Sequence, residues 1–387
     1  MEYDNSYGSV AFPIYVTVKA SGAQCNLNCE YCSLRGYDEQ SKNFMSVETL
    51  EKFTKQYIDA QIHSAVKFCW EGGEPLLRGI DFFKKAVEFQ KKFGIGRKIF
   101  NDINTNGVLI DEDWSRFFKE NDFNVKISID GPRHCHDRNR IKKDGNGSFD
   151  DVMHGVNMLK RFGVRFSIIS NVNEYNVFYP FEIYSFFKSE SFRNIQFKPV
   201  FYKDNLKSSE YNEFASCYGN FLCTIFDEWV RNDIGKFKIV IFDETLNSFC
   251  RNESSSCIFA QTCGHKASAE SNGDLYACNQ FTNPEYFLGN MIDHSLTGLM
   301  YGRKQLKFGQ MKKSNLTSQC KKCRYLKFCN GGCLKDRLGI SSTGEKGHNI
   351  YCSGYYKFFD HVTPAMTFMA AEIASGKSPA RIMTFFE

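Results

Sequence analysis

An alternation of apolar, β-branched runs with amphipathic stretches constrains the fold of this chain more than any other feature, and it extends from about residue 13 to residue 233. The runs that we predict to be strands are Pro13–Lys19, Val66–Trp70, Lys98–Asn104, Asn124–Asp130, Val164–Val172 and Asn194–Val200. The stretches that we predict to be helices are Ser46–Gln61, Phe82–Lys92, Glu112–Asn121, Phe149–Phe162, Tyr179–Ser189 and Glu210–Arg231. Six successive β-then-α units imply an α/β fold with parallel strands and right-handed crossovers. Periodicity alone fits both an open sheet and a partial barrel.

The pattern changes at about Ile239. Beyond it, short runs are separated by Gly, Asn and paired cysteines, which is typical of a domain stabilised by metal rather than by a large apolar core. The stretch Tyr355–Glu387 is predicted to form one or two helices that pack back on the body. We therefore divide the chain into residues 1–235, 236–354 and 355–387.

Composition excludes several classes of partner. The 387 residues carry 49 basic and 44 acidic side chains. The net charge of +5 is too small to indicate binding to nucleic acid. No run approaches the length of a transmembrane span, and Met1–Phe12 lacks the pattern of an export signal. We predict a cytoplasmic protein that binds neither nucleic acid nor membranes.

Sixteen cysteines are the most informative residue count. In a reducing cytoplasm, clustered cysteines are more often metal ligands than disulfides. Eleven of them form groups near the N-terminus and after residue 256. We interpret the five that stand apart as small buried apolar residues, namely Cys69, Cys135, Cys217, Cys223 and Cys250.

The first group is Cys25-x3-Cys29-x2-Cys32, directly after the first predicted strand. Three thiolates can ligate three irons of a 4Fe–4S cube and leave the fourth iron open, as a reaction centre requires. A zinc site is the alternative, but zinc motifs usually come as two cysteine pairs or with nearby histidines, and no histidine is close in sequence. Tyr31 either packs against the flat ring of a ligand or is an ordinary core aromatic.

Small polar residues and glycines end three of the predicted strands, where ligands bind in parallel folds. In Trp70–Pro75 (WEGGEP) the two glycines allow a close backbone approach, and Glu74 can accept a hydrogen bond from an amino group. Asn104–Gly107 and Ser128–Gly131 either bind ribose hydroxyls or only form turns. Arg140 is a candidate clamp for a carboxylate, or a surface arginine.

Eight further cysteines follow residue 256, as Cys257-x5-Cys263, Cys278, Cys320-x2-Cys323-x5-Cys329-x3-Cys333 and Cys352. They are enough for two fully ligated 4Fe–4S clusters or for two structural zinc sites, and spacing does not decide between these. The N-terminal motif favours iron.

Together these residues resemble the radical S-adenosylmethionine (SAM) superfamily, in particular its members with a SPASM domain and, among them, the anaerobic sulfatase-maturating enzymes. The resemblance covers about residues 10–365. The segments that carry it are Thr105–Leu109 (TNGVL), Ile127–Pro132 (ISIDGP), Gly147–Val152 (GSFDDV), Tyr286–Asn290 (YFLGN) and Cys329–Arg337 (CNGGCLKDR). It implies a partial (β/α)6 TIM-like barrel in residues 1–235, a SPASM domain in 236–354 and a helical segment in 355–387.

The resemblance also implies three 4Fe–4S clusters and SAM, which chelates the open iron and on reduction gives methionine and a 5′-deoxyadenosyl radical. The predicted SAM contacts are Tyr31, Gly73, Glu74, Ser128, Arg140 and Ile195. The implied ligands of the first auxiliary cluster are Cys257, Cys263, Cys278 and Cys333. Those of the second are Cys320, Cys323, Cys329 and Cys352.

The implied activity is that of a radical SAM oxidoreductase working without oxygen. The radical abstracts a Cβ hydrogen from a cysteine or serine of an unfolded sulfatase segment, and loss of a proton and an electron leads to Cα-formylglycine. The implied partners are that peptide segment and a low-potential electron donor such as flavodoxin or ferredoxin.

The sequence departs from the family pattern at the predicted catalytic base. The family carries an aspartate directly after the third cysteine of the first auxiliary site, but this chain has Asn279, whose amide can position a substrate and cannot accept its proton. Asp243 and Glu71 are the alternative carboxylates, and Glu71 itself stands where Gln or His is expected. The connection Phe201–Ser209 is short and basic beside the family's longer insertions.

Three hypotheses follow from these observations. The first is a formylglycine maturase of sulfatases. The second, which Asn279 favours, is a relative that oxidises, crosslinks or epimerises another peptide. The third is an inactive or zinc-stabilised scaffold, against which the first cysteine group and the Gly-Gly-Glu-Pro segment argue.

Overall fold

The computed structural model describes residues 13–34, 43–201, 208–251 and 256–386. Its central feature is a ten-stranded sheet with the order β10-β9-β8-β1-β2-β3-β4-β5-β6-β7. Its strands are β1 (Tyr15–Val18), β2 (Ala65–Trp70), β3 (Lys98–Thr105), β4 (Phe123–Ser128), β5 (Phe166–Val172), β6 (Asn194–Pro199), β7 (Lys238–Ile239), β8 (Lys266–Ala269), β9 (Asp274–Tyr276) and β10 (Phe287–Asn290). Neighbouring strands from β8 through β1 to β7 are parallel, and β9 and β10 are antiparallel.

Helices follow most strands of the parallel part. They are α1 (Val47–Asp59), α2 (Ile80–Phe93), α3 (Glu112–Glu120), α4 (Arg133–Asp137), α5 (Phe149–Phe162), α6 (Pro180–Ser189), α7 (Ser208–Asn232), α8 (Val240–Arg251), α9 (Leu296–Met300), α10 (Arg303–Ser314), α11 (Ser318–Lys321), α12 (Leu326–Cys329) and α13 (Cys352–Ala374). A small hairpin of β11 (Gly339–Ile340) and β12 (Lys346–His348) lies outside the main sheet. All six predicted strands and helices are present, with ends within two residues of those predicted, which confirms the α/β prediction.

The two faces of the sheet differ in character. Phe68 and Trp70 on β2 are fully buried, and the ring of Tyr57 from α1 lies 5.0 Å from that of Phe68. The alternate residues Lys67 and Cys69 lie on the other face, because successive side chains of a strand point to opposite sides. We call the face that carries Lys67 and Cys69 the inner face. It is polar, and it contains the candidate site.

Two features after residue 235 were not predicted. Residues expected to be irregular form α8, in which Phe242, Thr245 and Phe249 recur at helical spacing, a signal hidden by the cysteine-rich runs that follow. Strands β7 and β8 continue the sheet of the preceding region, since β7 pairs with β6 and β8 pairs with β1. The sheet therefore crosses the predicted boundary at residue 236.

The C-terminal helix α13 packs against α7 through small residues. A Cβ atom on Gly219 would lie 2.8 Å from Gly354 Cα, and one on Gly354 would lie 2.1 Å from Ala215 O. Glycine at both positions lets the two helices approach closely. Among the described residues, no helix is both long and apolar enough to cross a bilayer.

Candidate active site

The loop that carries the first cysteine group, residues 25–32, rests on the glycines that follow β2. Gly73 N–H donates to Gly22 O at 2.9 Å, and Glu74 N–H donates to Gln24 O at 2.7 Å. A Cβ atom on Gly73 would lie 1.9 Å from Gln24 O, so this position requires glycine. The close approach that the sequence assigned to a ligand is thus made by the cysteine loop, and the predicted contact of Gly73 with SAM stays a prediction.

The three cysteines of this loop lie together. Burial raises the pKa of Cys25 to about 12, and the charges of Cys29 and Cys32 add to this shift. Burial also raises the pKa of Cys29, whereas the neighbouring Arg140 lowers it. Because cluster binding requires thiolates, iron and the arginine charge would offset the cost of burying them. This donor set fits a cluster with one open iron.

Asp130, which was not predicted, links the cysteine loop to the end of β4. It is fully buried, and its Oδ2 accepts a hydrogen bond from the Tyr31 hydroxyl and lies 3.0 Å from Arg140 Nε. Its Oδ1 accepts from Asn171 N–H at 2.9 Å. The signal was present in Ser128–Gly131, where Asp130 is the charged residue. Arg140 pairs with this internal carboxylate, and the SAM contacts of Arg140 and Tyr31 stay predictions.

Glu74 holds the end of β2 to the end of β3. It is fully buried, and its oxygens accept from Leu76 N–H (3.0 Å), the Thr105 hydroxyl (2.7 Å) and Asn106 N–H (2.7 Å). Burial raises the pKa of Glu74 to about 7, and these three hydrogen bonds oppose the shift. Its predicted hydrogen bond to SAM stays a prediction.

Ser128 and Ile195, the other predicted SAM contacts, differ in exposure. Ser128 is partly exposed at the end of β4. Ile195 on β6 is fully buried in the apolar core, whereas its neighbours Asn194 and Gln196 are partly exposed. Neither predicted contact is tested by the geometry.

Glu71 and Asn279 contact each other on the inner face. Asn279 Nδ2 donates to Glu71 Oε2 at 3.0 Å, and Asn104 Nδ2 donates to Glu71 Oε1. Asp243, the other proposed carboxylate, has Lys238 as its ionic neighbour at 3.9 Å. Burial raises the pKa of Asp243 to about 6, and Lys238 lowers it.

The structure brings the cysteines after residue 256 into two groups. In the first, burial raises the pKa of Cys263 to about 11, and the nearby Cys333 and Cys257 raise it further. Burial likewise raises the pKa of Cys278 to about 11, with contributions from Cys257 and Cys263. Burial also raises the pKa of Cys333 to about 11, and the charge of Cys278 adds to this shift. These are the four cysteines that the resemblance assigns to the first auxiliary cluster.

The second group contains the other four. Burial raises the pKa of Cys352 to about 12, and Cys329, Cys320 and Cys323 each raise it further. Burial raises the pKa of Cys329 to about 11, again with Cys320 and Cys323 adding to the shift. His348 Nδ1, a neighbour that was not predicted, lies 3.7 Å from Cys320 Sγ.

Two cations accompany these groups. Lys312, fully buried, donates to Cys257 O at 2.7 Å and Ile258 O at 2.8 Å. Burial lowers the pKa of Arg337, and the thiolate charges of Cys320 and Cys263, one from each group, raise it. A positive charge beside buried thiolates offsets part of their desolvation.

The thiols of a group do not meet at one point. Within the residues that the structure describes, no three His, Cys, Asp or Glu side chains are close enough together to hold a single metal ion. A 4Fe–4S cube is ligated at separate corners. The spread of the donors is therefore compatible with a cube.

Comparison with known proteins agrees with this donor chemistry. Residues 21–180 match the radical SAM superfamily. The chain is 44% identical to the serine-type anaerobic sulfatase-maturating enzyme of Bacteroides thetaiotaomicron, over 98% of this chain and 96% of that protein. It is 31% identical to the cysteine-type anaerobic sulfatase-maturating enzyme of Clostridium perfringens, over 93% of this chain and 99% of that protein. The solved structure of native anSMEcpe with bound AdoMet and Cp18Cys peptide aligns at a TM-score of 0.84 and 30% identity, covering 93% of this chain and 99% of that one.

These similarities extend over both the parallel sheet and the cysteine-rich region. They confirm the predicted partial (β/α)6 barrel with a C-terminal SPASM domain, and they confirm SAM and 4Fe–4S clusters as the cofactors. The protein is a radical SAM oxidoreductase and belongs to the family of anaerobic sulfatase-maturating enzymes.

Proposed function

We propose that this enzyme oxidises a serine side chain of an unfolded sulfatase segment to Cα-formylglycine. One observation carries the choice of serine: identity is 44% to a serine-type relative and 31% to a cysteine-type relative, in each case over more than nine-tenths of the chain. The contact between Glu71 and Asn279 also weakens the case for a different reaction, because it provides a carboxylate where Asn279 alone has none.

The residues of the site support specific roles. We assign Cys25, Cys29 and Cys32 to the cluster that binds SAM, and together these cofactors supply the abstraction of a hydrogen atom from Cβ. Arg140, Asp130 and Tyr31 hold the cysteine loop to the end of β4. We assign the first auxiliary cluster to Cys257, Cys263, Cys278 and Cys333, and the second to Cys320, Cys323, Cys329 and Cys352.

The partners follow from the same assignment. The substrate is a peptide segment, and the solved structure of the related anSMEcpe holds bound AdoMet and a Cp18Cys peptide. The reducing electron comes from a low-potential carrier such as flavodoxin or ferredoxin. A reducing cytoplasm is the site of action, because clustered cysteines that bind iron–sulfur clusters are kept out of disulfides there.

Mass spectrometry of a sulfatase-motif peptide tests this function. The reduced, reconstituted enzyme is incubated anaerobically with SAM and a Ser-x-Pro-x-Arg peptide, or with its Cys-x-Pro-x-Arg counterpart. We expect the serine peptide to become lighter by two hydrogen atoms, and to react faster than the cysteine peptide. Faster conversion of the cysteine peptide would contradict the serine assignment.

A second outcome would contradict the whole proposal. If 5′-deoxyadenosine accumulates while both peptides stay unchanged, the radical chemistry is intact and the substrate is a different peptide.

A further inference from the structure

Three carboxylates follow strands β2 and β4 at the end of the sheet that holds the cysteine loop, and they differ in what engages them. Glu74 is fully buried and accepts three hydrogen bonds from the chain itself. Asp130 is also fully buried and is held by Arg140, Tyr31 and a backbone N–H. Glu71 is partly exposed. Of the three, Glu71 is therefore the one that a substrate side chain can reach.

The position of Glu71 follows from the strand that precedes it. It comes directly after Trp70, the last residue of β2, and its N–H donates to Val18 O at 2.9 Å. Since Phe68 and Trp70 are buried on the helix side, alternation places Glu71 on the inner face with Cys69. The carboxylate therefore faces the inside of the barrel.

Both partners of this carboxylate are amides. Asn104 donates to one oxygen and Asn279 to the other, the latter at 3.0 Å. Asn279 Oδ1 also lies 3.5 Å from the thiol of Cys278, a cysteine of the first auxiliary group. An amide donates hydrogen bonds but has no basic lone pair for a proton, whereas a carboxylate oxygen can accept one from a hydroxyl group during a reaction. Within this set of contacts, proton acceptance belongs to Glu71.

Positive charges from other strands face the same carboxylate. Burial lowers the pKa of Lys198 on β6, and the charge of Glu71 opposes that shift. Burial also lowers the pKa of Lys266 on β8, but the charges of several neighbours, Cys69 and Glu71 first among them, outweigh burial and leave the pKa raised. Lys126 on β4 is engaged by Asp102 at 2.9 Å. Opposite charges on two strands compensate the partial burial of Glu71.

The two departures from the family pattern on the inner face are thus in direct contact. The pattern predicts a carboxylate at position 279 and Gln or His at position 71, whereas this chain has an amide at 279 and a carboxylate at 71. The pair still contains one carboxylate, but it stands at position 71 instead of position 279. A hydrogen bond joins the two side chains.

We propose that Glu71 is the general base of the reaction and takes the hydroxyl proton of the target serine. This inference rests on the proposed function and assigns its base. Oxidation of the serine side chain breaks a Cβ–H bond, whose hydrogen atom would pass to the 5′-deoxyadenosyl radical derived from SAM, and it also removes a proton from oxygen and one electron. The O–H bond of serine breaks, an O–H bond forms on Glu71, and the C–O bond becomes double. The electron passes to a one-electron acceptor of the iron–sulfur class.

The test exchanges the carboxylate between the two positions. In Glu71→Gln we expect product formation to fall by about 100-fold or more, because general-base catalysis contributes factors of this size. Formation of 5′-deoxyadenosine should continue, and the affinity for the serine peptide, measured by fluorescence anisotropy, should be unchanged. The double variant Glu71→Gln/Asn279→Asp should recover at least about tenfold of the lost rate. Glu190→Gln, which removes a surface carboxylate 3.0 Å from Lys160, is the matched control.

Several outcomes overturn the inference. Wild-type product formation by Glu71→Gln would exclude Glu71 as the base while leaving the proposed function intact. Loss of peptide affinity or thermal stability in Glu71→Gln, together with no recovery in the double variant, would assign it a structural role instead. If the wild-type enzyme oxidises neither peptide, the proposed function itself fails and the assignment of its base fails with it.

Discussion

The three cysteines of the barrel and the eight cysteines after residue 256 are brought together in different ways. The first three are neighbours in one loop, and the backbone N–H groups of Gly73 and Glu74 hold the start of this loop by donating to Gly22 O and Gln24 O. The other eight form two groups that interleave in sequence, since Cys333 belongs with Cys278 and Cys352 belongs with Cys329. Cysteines within one short motif are close together because they are close in sequence. Cysteines of an interleaved set are brought together only by the tertiary fold.

The charges around the cysteines differ as well. In the barrel, Arg140 is shared between Cys29 and the internal carboxylate Asp130. In the C-terminal region, Lys312 and Arg337 lie beside the thiols. Burial lowers the pKa of Arg337, and thiolate charges from both groups raise it. We infer that the barrel site is built for reaction and the C-terminal groups for holding charge. Two predictions on cysteines test this division, and two further predictions test what stabilises the barrel.

The largest effect is expected at the barrel loop. Cys29→Ala should abolish SAM cleavage, because the cluster that binds SAM loses one of its three proposed ligands. The measurement is 5′-deoxyadenosine by chromatography, with iron content expected to fall by about one third if one of three clusters is lost. Retained 5′-deoxyadenosine production would refute the assignment of this site.

Cys323→Ala should affect the C-terminal cysteine groups and not the barrel loop. We expect it to spare part of the SAM cleavage and to lose formylglycine, because it removes a proposed ligand of the second auxiliary cluster. Both products are measured in the same anaerobic incubation as for Cys29→Ala. If the two variants behave alike, the division of labour between the regions is wrong.

Gly73→Ala tests whether backbone packing holds the barrel loop. The added Cβ would lie 1.9 Å from Gln24 O, so the cysteine loop has to move and we expect a several-fold lower affinity for SAM. Gly163→Ala is the control, because its nearest neighbour is the tip of Lys119 at 3.7 Å and only the left-handed backbone costs about 1 kcal/mol. Equal SAM affinity in both variants would show that the loop is held by other contacts.

The smallest effect concerns the pH dependence of barrel stability. His136 is fully buried, with Nε2 3.0 Å from Ser148 Oγ, and burial lowers its pKa well below 6.5. The unfolded chain takes up a proton below pH 6.5 and the folded chain does not, so His136 costs stability as the pH falls below 6.5. The slope is about 1.4 kcal/mol per pH unit. Urea unfolding at pH 6.5 and 5.5 should show a smaller decrease for His136→Gln, and equal decreases would contradict this prediction.

Much of the fold could be predicted because its signals are local. Strand and helix periodicity located β1 to β6 and the helices after them, since each pattern is complete within one element. The same reasoning missed α8, whose apolar spacing was obscured by the cysteine-rich sequence that follows. The family resemblance named Ser128 and not Asp130, whose burial depends on Arg140 and Tyr31 from other segments.

What the sequence by itself determined is the α/β alternation, the first cysteine group and the presence of enough cysteines for two more clusters. Periodicity and spacing express these properties within short segments. The assignment of the eight later cysteines to two clusters came from the family resemblance, because spacing does not decide it. Only the tertiary structure placed Glu71 against Asn279, 208 positions further along the chain. Contacts over such distances are decided by how strands and loops pack, because no local pattern specifies which distant residue a side chain will meet.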